Sequence, residues 1–220
     1  MTDAIVFDLD GLLLDTEQVW DEVREALTRE RGGRWHDRAQ ADMMGMSSTE
    51  WSRYMHDELG LREPPDELNR LVVERMAERY RERLPIVEGA VEAVRRIGER
   101  WPLGLASSSN RPLIDLALEL MGVAELFRAT VSSEEVERGK PAPDVYLEVA
   151  RRLGVPPERI VAVEDSAAGI RAAKAAGMGV VAIPNPHFPP PDDTLELADV
   201  VLESLAMLTP AAVESASSRP

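Results

Sequence analysis

Cysteine is absent from the 220 residues, which removes disulfides, thiolate zinc sites and cysteine nucleophiles from consideration. No apolar run approaches the length that crosses a bilayer. Nothing like a basic segment with a short apolar stretch precedes the first apolar run, Ala4–Phe7, so a cytoplasmic location is the default expectation. Positive charge is also scarce: 25 basic residues against 40 acidic ones leave a net charge of −15. That balance argues against a general nucleic-acid binder, which needs a positive footprint. An anionic ligand would have to be drawn in by a local group of cations. Lysine is scarcest of all, with only Lys140 and Lys174 among those 25 basic residues. Where the chain wants surface positive charge it writes Arg, so each Lys stands out as a candidate for a specific role.

What is present is enough apolar residue, 44% of the chain, for the packed core of one α/β domain with an inserted piece, or of two small domains. A strand is expected at Ala4–Asp8 and a helix over Thr16–Arg31, followed by the Arg- and Gly-rich break "RERGGRWHDR". Two helical stretches follow, near Ser48–Leu59 and Asp66–Arg83. Around the second, Leu68, Val72, Met76, Tyr80 and Leu84 recur every fourth residue, one apolar stripe on a charged helix. Helices with no strand between them suggest a helical insertion.

After Pro85 the rhythm alternates. Helices are expected at Glu88–Arg100, Pro112–Met121, Asp144–Leu153 and Ala167–Ala176. Strands are expected at Leu103–Ser107, Ala129–Ser132, Ile160–Glu164, Gly179–Ile183 and, weakly, Asp199–Leu202, before a terminal helix. Continuous apolar strands separated by amphipathic helices indicate a parallel sheet covered on both faces. Ligands of such sheets bind beyond the carboxyl ends of the strands.

The residues at those ends form a set. The first strand runs into Asp8, Asp10 and Gly11, the second into "SSSN" (Ser107 to Asn110), the third leads to Lys140, and the fourth ends in Glu164 and Asp165. Carboxylate oxygens suit Mg²⁺, while Ser and Lys donate to phosphate oxygens. Each piece alone has a local explanation. D-x-D-G can be a turn, Ser109 or Asn110 can cap the helix that opens with Arg111-Pro112, and the acids before "AAGIRAAKAAG" can complement a helix dipole. Lys140 can be a solvated loop charge, and Lys174, mid-helix, reads as surface or salt bridge. All four falling at consecutive strand ends by accident is the poorer account.

These residues resemble the haloacid dehalogenase superfamily of phosphotransferases over nearly the whole chain. "FDLDGLLLDTE" is similar to its first motif, "LASSSN" to its second, "GKPAPDVY" to its third and "VEDSAAGIRAAKAAGM" to its fourth. The resemblance implies an α/β fold, with a Rossmann-like core over residues 1–15 and 87–220 and a small α-helical cap over 16–86. It implies Asp8 as the nucleophile that forms an aspartyl-phosphate, and Asp10 as general acid and then base. Ser107 and Lys140 would hold the phosphoryl oxygens. Mg²⁺ would be held by Asp8, Asp165, the main-chain carbonyl of Asp10 and, through water, Glu164.

Departures within that resemblance narrow the reaction. Dehalogenases of the superfamily lack the second acid of the first motif, and this chain has Asp10. Phosphonoacetaldehyde hydrolases use a cap lysine, and residues 16–86 contain none. The β-phosphoglucomutases carry a His and an Arg where this chain has Trp20 and Ser48, with Arg53 a possible replacement. The expectation is therefore a Mg²⁺-dependent phosphatase of a small sugar, polyol or nucleoside phosphate, with a phosphosugar mutase as the alternative. Candidate substrate-binding residues are Glu17, Trp20, Ser108 and Asn110, with Met43, Met46 and Ser47 as further cap positions. Trp20, Met43 and Met46 read equally well as cap core. His36 and His56 read as surface, and His187 as part of a Pro-stiffened loop.

Two other classes fit less well. A response-regulator receiver lacks a cap and the D-x-D pattern, and an idle binding fold would be expected to have lost a motif residue. The expected partner is a small phosphorylated metabolite, with no nucleic acid or membrane, and the chain is expected as a monomer or weak homodimer.

Overall fold

Ala4-Ile5-Val6-Phe7 is buried along its whole length because it is the central strand of a sheet covered on both sides. The computed structural model describes residues 1–44 and 46–217; the last three positions of the expected core segment, 218–220, lie outside them. In chain order the elements are β1 (Ala4–Phe7), α1 (Glu17–Glu30), α2 (Ala39–Met43), α3 (Ser48–Asp57), α4 (Pro65–Glu82), α5 (Ala90–Gly98), β2 (Leu103–Ser107) and α6 (Arg111–Met121). They continue with β3 (Phe127–Ser132), α7 (Asp144–Leu153), β4 (Ile160–Glu164), α8 (Ala167–Ala175), β5 (Gly179–Ala182), α9 (Asp192–Leu195), β6 (Val200–Val201) and α10 (Pro210–Ala216). No helix among the described residues is long and apolar enough to cross a membrane.

The six strands are ordered β3-β2-β1-β4-β5-β6 and pair in parallel throughout. This is the doubly wound Rossmann-like order, whose direction reverses beside β1. Alternation along β1 sends Ile5 and Phe7 to one face and Ala4 and Val6 to the other. The first face packs on Val94 and Ile97 of α5 and Leu113 and Ile114 of α6. The second packs on Val145 and Val149 of α7 and Ile170 and Ala173 of α8.

Helices α1 to α4 follow one another without a strand. The chain leaves for them and returns at one place, where Leu14 bridges Ile86 in antiparallel fashion. There the Asp15 N–H donates to Pro85 O at 2.8 Å and the Val87 N–H to Leu13 O at 3.0 Å. Helix α4 buries Leu68, Val72, Met76 and Tyr80, a stripe continuous with the apolar face that contains Phe7 and Leu9. Leu84, expected to extend that stripe, lies beyond the helix end at Glu82.

Other differences from the sequence reading are small and local. Helix α2 falls where only a break and a loop were expected. At five residues it is too short for periodicity to register, although it buries Ala39 and Met43. Helix α9 is four residues long and hidden behind a Pro-rich stretch. Strand β1 ends at Phe7, so Asp8 already belongs to the loop beyond the sheet.

Candidate active site

Asp8, the residue after β1, is buried, and its Oδ1 accepts a 2.8 Å hydrogen bond from Lys140 Nζ. The same ammonium donates to Glu164 Oε1 at 2.6 Å, so one lysine bridges the ends of β1 and β4. Tyr146 of α7, two residues beyond Asp144, donates its hydroxyl to that oxygen at 2.6 Å. Glu164 Oε2 accepts from the backbone N–H of Asp165 and Ser166 and from Ser166 Oγ. With both oxygens engaged and no exposure, Glu164 anchors Lys140 rather than offering a bare oxygen to a ligand. Burial opposes charge on Lys140, but Asp8 and Glu164 outweigh it and hold the ammonium above its ordinary range.

Asp165 completes the group. One ligand oxygen from each of Asp8, Glu164 and Asp165 lies within 4.8 Å of the others. Burial, then Glu164, push the Asp8 carboxyl up to about 7, with Lys140 pulling the other way. Burial, Glu164 and Asp8 likewise raise Asp165 well above the carboxylate range. Asp165 Oδ1 is buried without a hydrogen-bond partner. Three crowded carboxylates, one cation and an orphaned oxygen fit a hard divalent cation. Two glycines make the crowding possible. A Cβ at Gly11, whose φ is +86°, would strike the Asp165 carboxylate, and one at Gly169 would overlap that of Glu164.

Asp10 lies outside the acidic cluster, and its carboxylate is held by side chains from two directions. Its Oδ1 accepts from Thr16 Oγ1 at 2.7 Å and from Trp20 Nε1 at 3.4 Å. Its Oδ2 accepts from Ser109 Oγ at 2.6 Å and Ser107 Oγ at 3.3 Å. Ser107 is wholly buried beneath this pair and also accepts from the Ser109 N–H.

These groups open into a cavity of about 450 Å³. Its floor is Asp8, Asp10, Ser108, Ser109, Lys140 and Asp165, and its roof is Glu17, Trp20, Arg24, Met43, Met46 and Trp51. Asn185, Phe188 and Pro189–Pro191 form one wall. The structure thus brings Asp8, Asp10, Glu17, Trp20, Ser108, Lys140 and Asp165 to one cavity. Asn110 is a correction: it does not line the space. Its amide is drawn instead to Asn69 Oδ1 at 3.0 Å and Glu134 Oε1 at 2.7 Å. Ser48 Oγ also donates to Glu134 Oε1, so this network ties α3 and α4 to the sheet. Ser47 is used locally as well, donating from N–H and Oγ to Glu50 at the start of α3. Lys174 pairs with Asp199, while His36 and His187 are exposed and His56 is half-buried.

Several contributors escaped the sequence reading. Ser109 reads equally as a helix cap, and Tyr146 gives no signal apart from following the lysine motif. The wall at Asn185 and Phe188 lies in the loop read as mere stiffening. Arg24 was legible in principle, because Glu17, Trp20 and Arg24 are spaced three and four apart on one face of α1.

Comparison with known proteins agrees with this architecture. A family model described as "Hydrolase: haloacid dehalogenase-like hydrolase" matches residues 2–177. Hexitol phosphatase B of Escherichia coli K12 is 36% identical over 225 residues, covering 94% of each chain. The crystal structure of CbbY from Rhodobacter sphaeroides in complex with phosphate superposes with a TM-score of 0.86 at 27% identity, covering 97% of this chain and 100% of that one. The β-phosphoglucomutase of Clostridium difficile shares the fold with a TM-score of 0.84 at 22% identity, covering 99% and 97% of the two chains. The chain belongs to the haloacid dehalogenase-like hydrolase family.

Proposed function

We propose that this hydrolase is a Mg²⁺-dependent phosphatase of a small phosphomonoester, a sugar, polyol or nucleoside phosphate, acting through an aspartyl-phosphate on Asp8. The observation that carries the reading is the Asp8–Lys140–Glu164 bridge beside Asp165, open to a cavity roofed by helices. A roofed cavity of this size suits a small metabolite. Relatives named as phosphatases of hexitols and of phosphorylated carbohydrates support the same class.

Asp8 would attack phosphorus in line, forming the Asp8 O–P bond as the bond to the leaving oxygen breaks. Asp10 would give that oxygen its proton and then take one from the attacking water. Its hydroxyl partners suit both states, since Ser109 and Thr16 can donate to the carboxylate or accept from the acid. Lys140 would neutralise charge on the phosphoryl oxygens, held in place by Glu164 and Tyr146. Mg²⁺, held by Asp8, Asp165, the Asp10 carbonyl and water on Glu164, would stabilise the phosphoryl charge.

The test is phosphate release from a panel of sugar, polyol and nucleoside monophosphates, with Mg²⁺ or excess chelator, for wild type beside Asp8→Asn. Selective release that needs Mg²⁺ and Asp8 is expected. Release unaffected by chelator would contradict the metal assignment. Interconversion of glucose phosphates with a bisphosphate primer, and no hydrolysis, would make the protein a mutase.

A further inference from the structure

Arg24 stands apart from the other arginines among the described residues. It is 6% exposed, lines the cavity roof and has its guanidinium carbon 4.6 Å from the Trp20 ring centroid and 4.9 Å from that of Trp51. Its Nε is buried with no hydrogen-bond partner; Glu17, Asp10 and Asp21 act on the guanidinium through space, but no hydrogen bond ties it to any of them. Glu17, on the same helix face, is already engaged by the Gln40 amide at 3.1 Å. Burial lowers Arg24 to about 10 against the opposing pull of Glu17, Asp10 and Asp21, so the group stays cationic at neutral pH.

A buried guanidinium donor without an acceptor is costly, and proteins retain one where a ligand completes it. Contact with two indoles fixes the guanidinium plane, which favours two-pronged recognition of a carboxylate or phosphate. Trp20 also relates the position to the chemistry, since its indole N–H points at Asp10 while its ring faces Arg24. A leaving group whose oxygen meets Asp10 would therefore have its far end near Arg24.

We propose that Arg24 is a specificity-determining residue that binds an anionic oxygen group at the far end of the leaving group. The preferred substrate is then a phosphomonoester of a short hydroxylated chain ending in a carboxylate or a second phosphate. This rests on the phosphatase reading above and names its substrate class.

The test compares kcat/KM within matched pairs that differ only at the far end. One pair is 6-phosphogluconate and glucitol 6-phosphate, and the other fructose 1,6-bisphosphate and fructose 6-phosphate. Wild type should favour the anionic member of at least one pair by about tenfold or more, and which pair does so separates carboxylate from phosphate. Arg24→Met should abolish that preference mainly through KM, while Arg24→Lys should keep part of it. The wild-type comparison stands even where Arg24→Met fails to fold. Equal or better use of the hydroxymethyl-ended members in both pairs overturns this inference and leaves the phosphatase intact. An equal loss on both members of a pair in Arg24→Met overturns it in favour of a packing role. Release from no member, with Asp8→Asn indistinguishable, overturns the phosphatase reading and this inference with it.

Discussion

The floor and the roof of the cavity are built on opposite principles. On the floor Lys140 is committed to Asp8 and Glu164, Glu164 to five donors and Asp10 to four, while Asp165 keeps a free oxygen. Glycine rather than side chain fills the space beside the acids. The roof is mostly indole and thioether, with Glu17 and one cation whose Nε has no hydrogen-bond partner. A floor so tightly held suits chemistry that must place charge within tenths of an ångström. A roof of Met and Trp around an open donor can be fitted to one leaving group or another.

The largest effect should come from the floor. Asp8→Asn is expected to cut turnover by about 10⁴-fold or more on every substrate. It should leave the fold intact, because Asn still accepts from Lys140 and one charge leaves a crowded acidic cluster. Circular dichroism beside turnover checks both points. Next, Gly169→Ala places a methyl on the Glu164 carboxylate and should cost about 1–3 kcal/mol in denaturant unfolding. Because Glu164 anchors Lys140, turnover should fall as well, with little change in preference among substrates.

The roof should respond in the opposite way. Met46→Ala is expected to change KM and the ranking of substrates by about tenfold, with kcat on the best substrate altered less. Uniform loss across the panel would show that the roof serves the chemical step.

The smallest effect concerns Glu17, where burial, with Asp10 adding to it, pushes the carboxyl up to about 7 while Arg24 and Gln40 oppose. From its ordinary 4.5 up to that value, the folded state holds a proton that the unfolded state has lost. Stability contributed by the neutral form therefore falls as pH rises from about 4.5 to about 7. Glu17→Gln should flatten this slope in a thermal melt by a few degrees relative to wild type under the same buffer and Mg²⁺. An unchanged slope would place Glu17 in a wetter setting.

The contrast between floor and roof also explains what the sequence made legible. The floor residues sit just past strand ends, and strands that are continuous apolar runs announce those ends, so Asp8, Asp10, Lys140 and Asp165 could be grouped without a structure. The β1–β5 core was readable for the same reason. The roof comes from helices whose placement over the sheet no local pattern reports. Trp20 and Met43 read equally as cap core, and Arg24 as one of many surface arginines. Asn110 misled because a motif neighbour one residue past the serines turns toward Asn69 and Glu134 instead of the cavity. Helix α2 and the wall at Phe188 lie in stretches too short or too Pro-rich for periodicity to mark.

The central claim is that Asp8 takes the phosphoryl group. The most direct test mixes enzyme, Mg²⁺ and the best substrate of the panel, quenches with acid during turnover, and weighs the peptide that carries Asp8. A gain of one phosphoryl group on that peptide, absent with Asp8→Asn and larger with Asp10→Asn, is the predicted result. Rapid phosphate release with Asp8 never modified, or undiminished release by Asp8→Asn, would contradict the account.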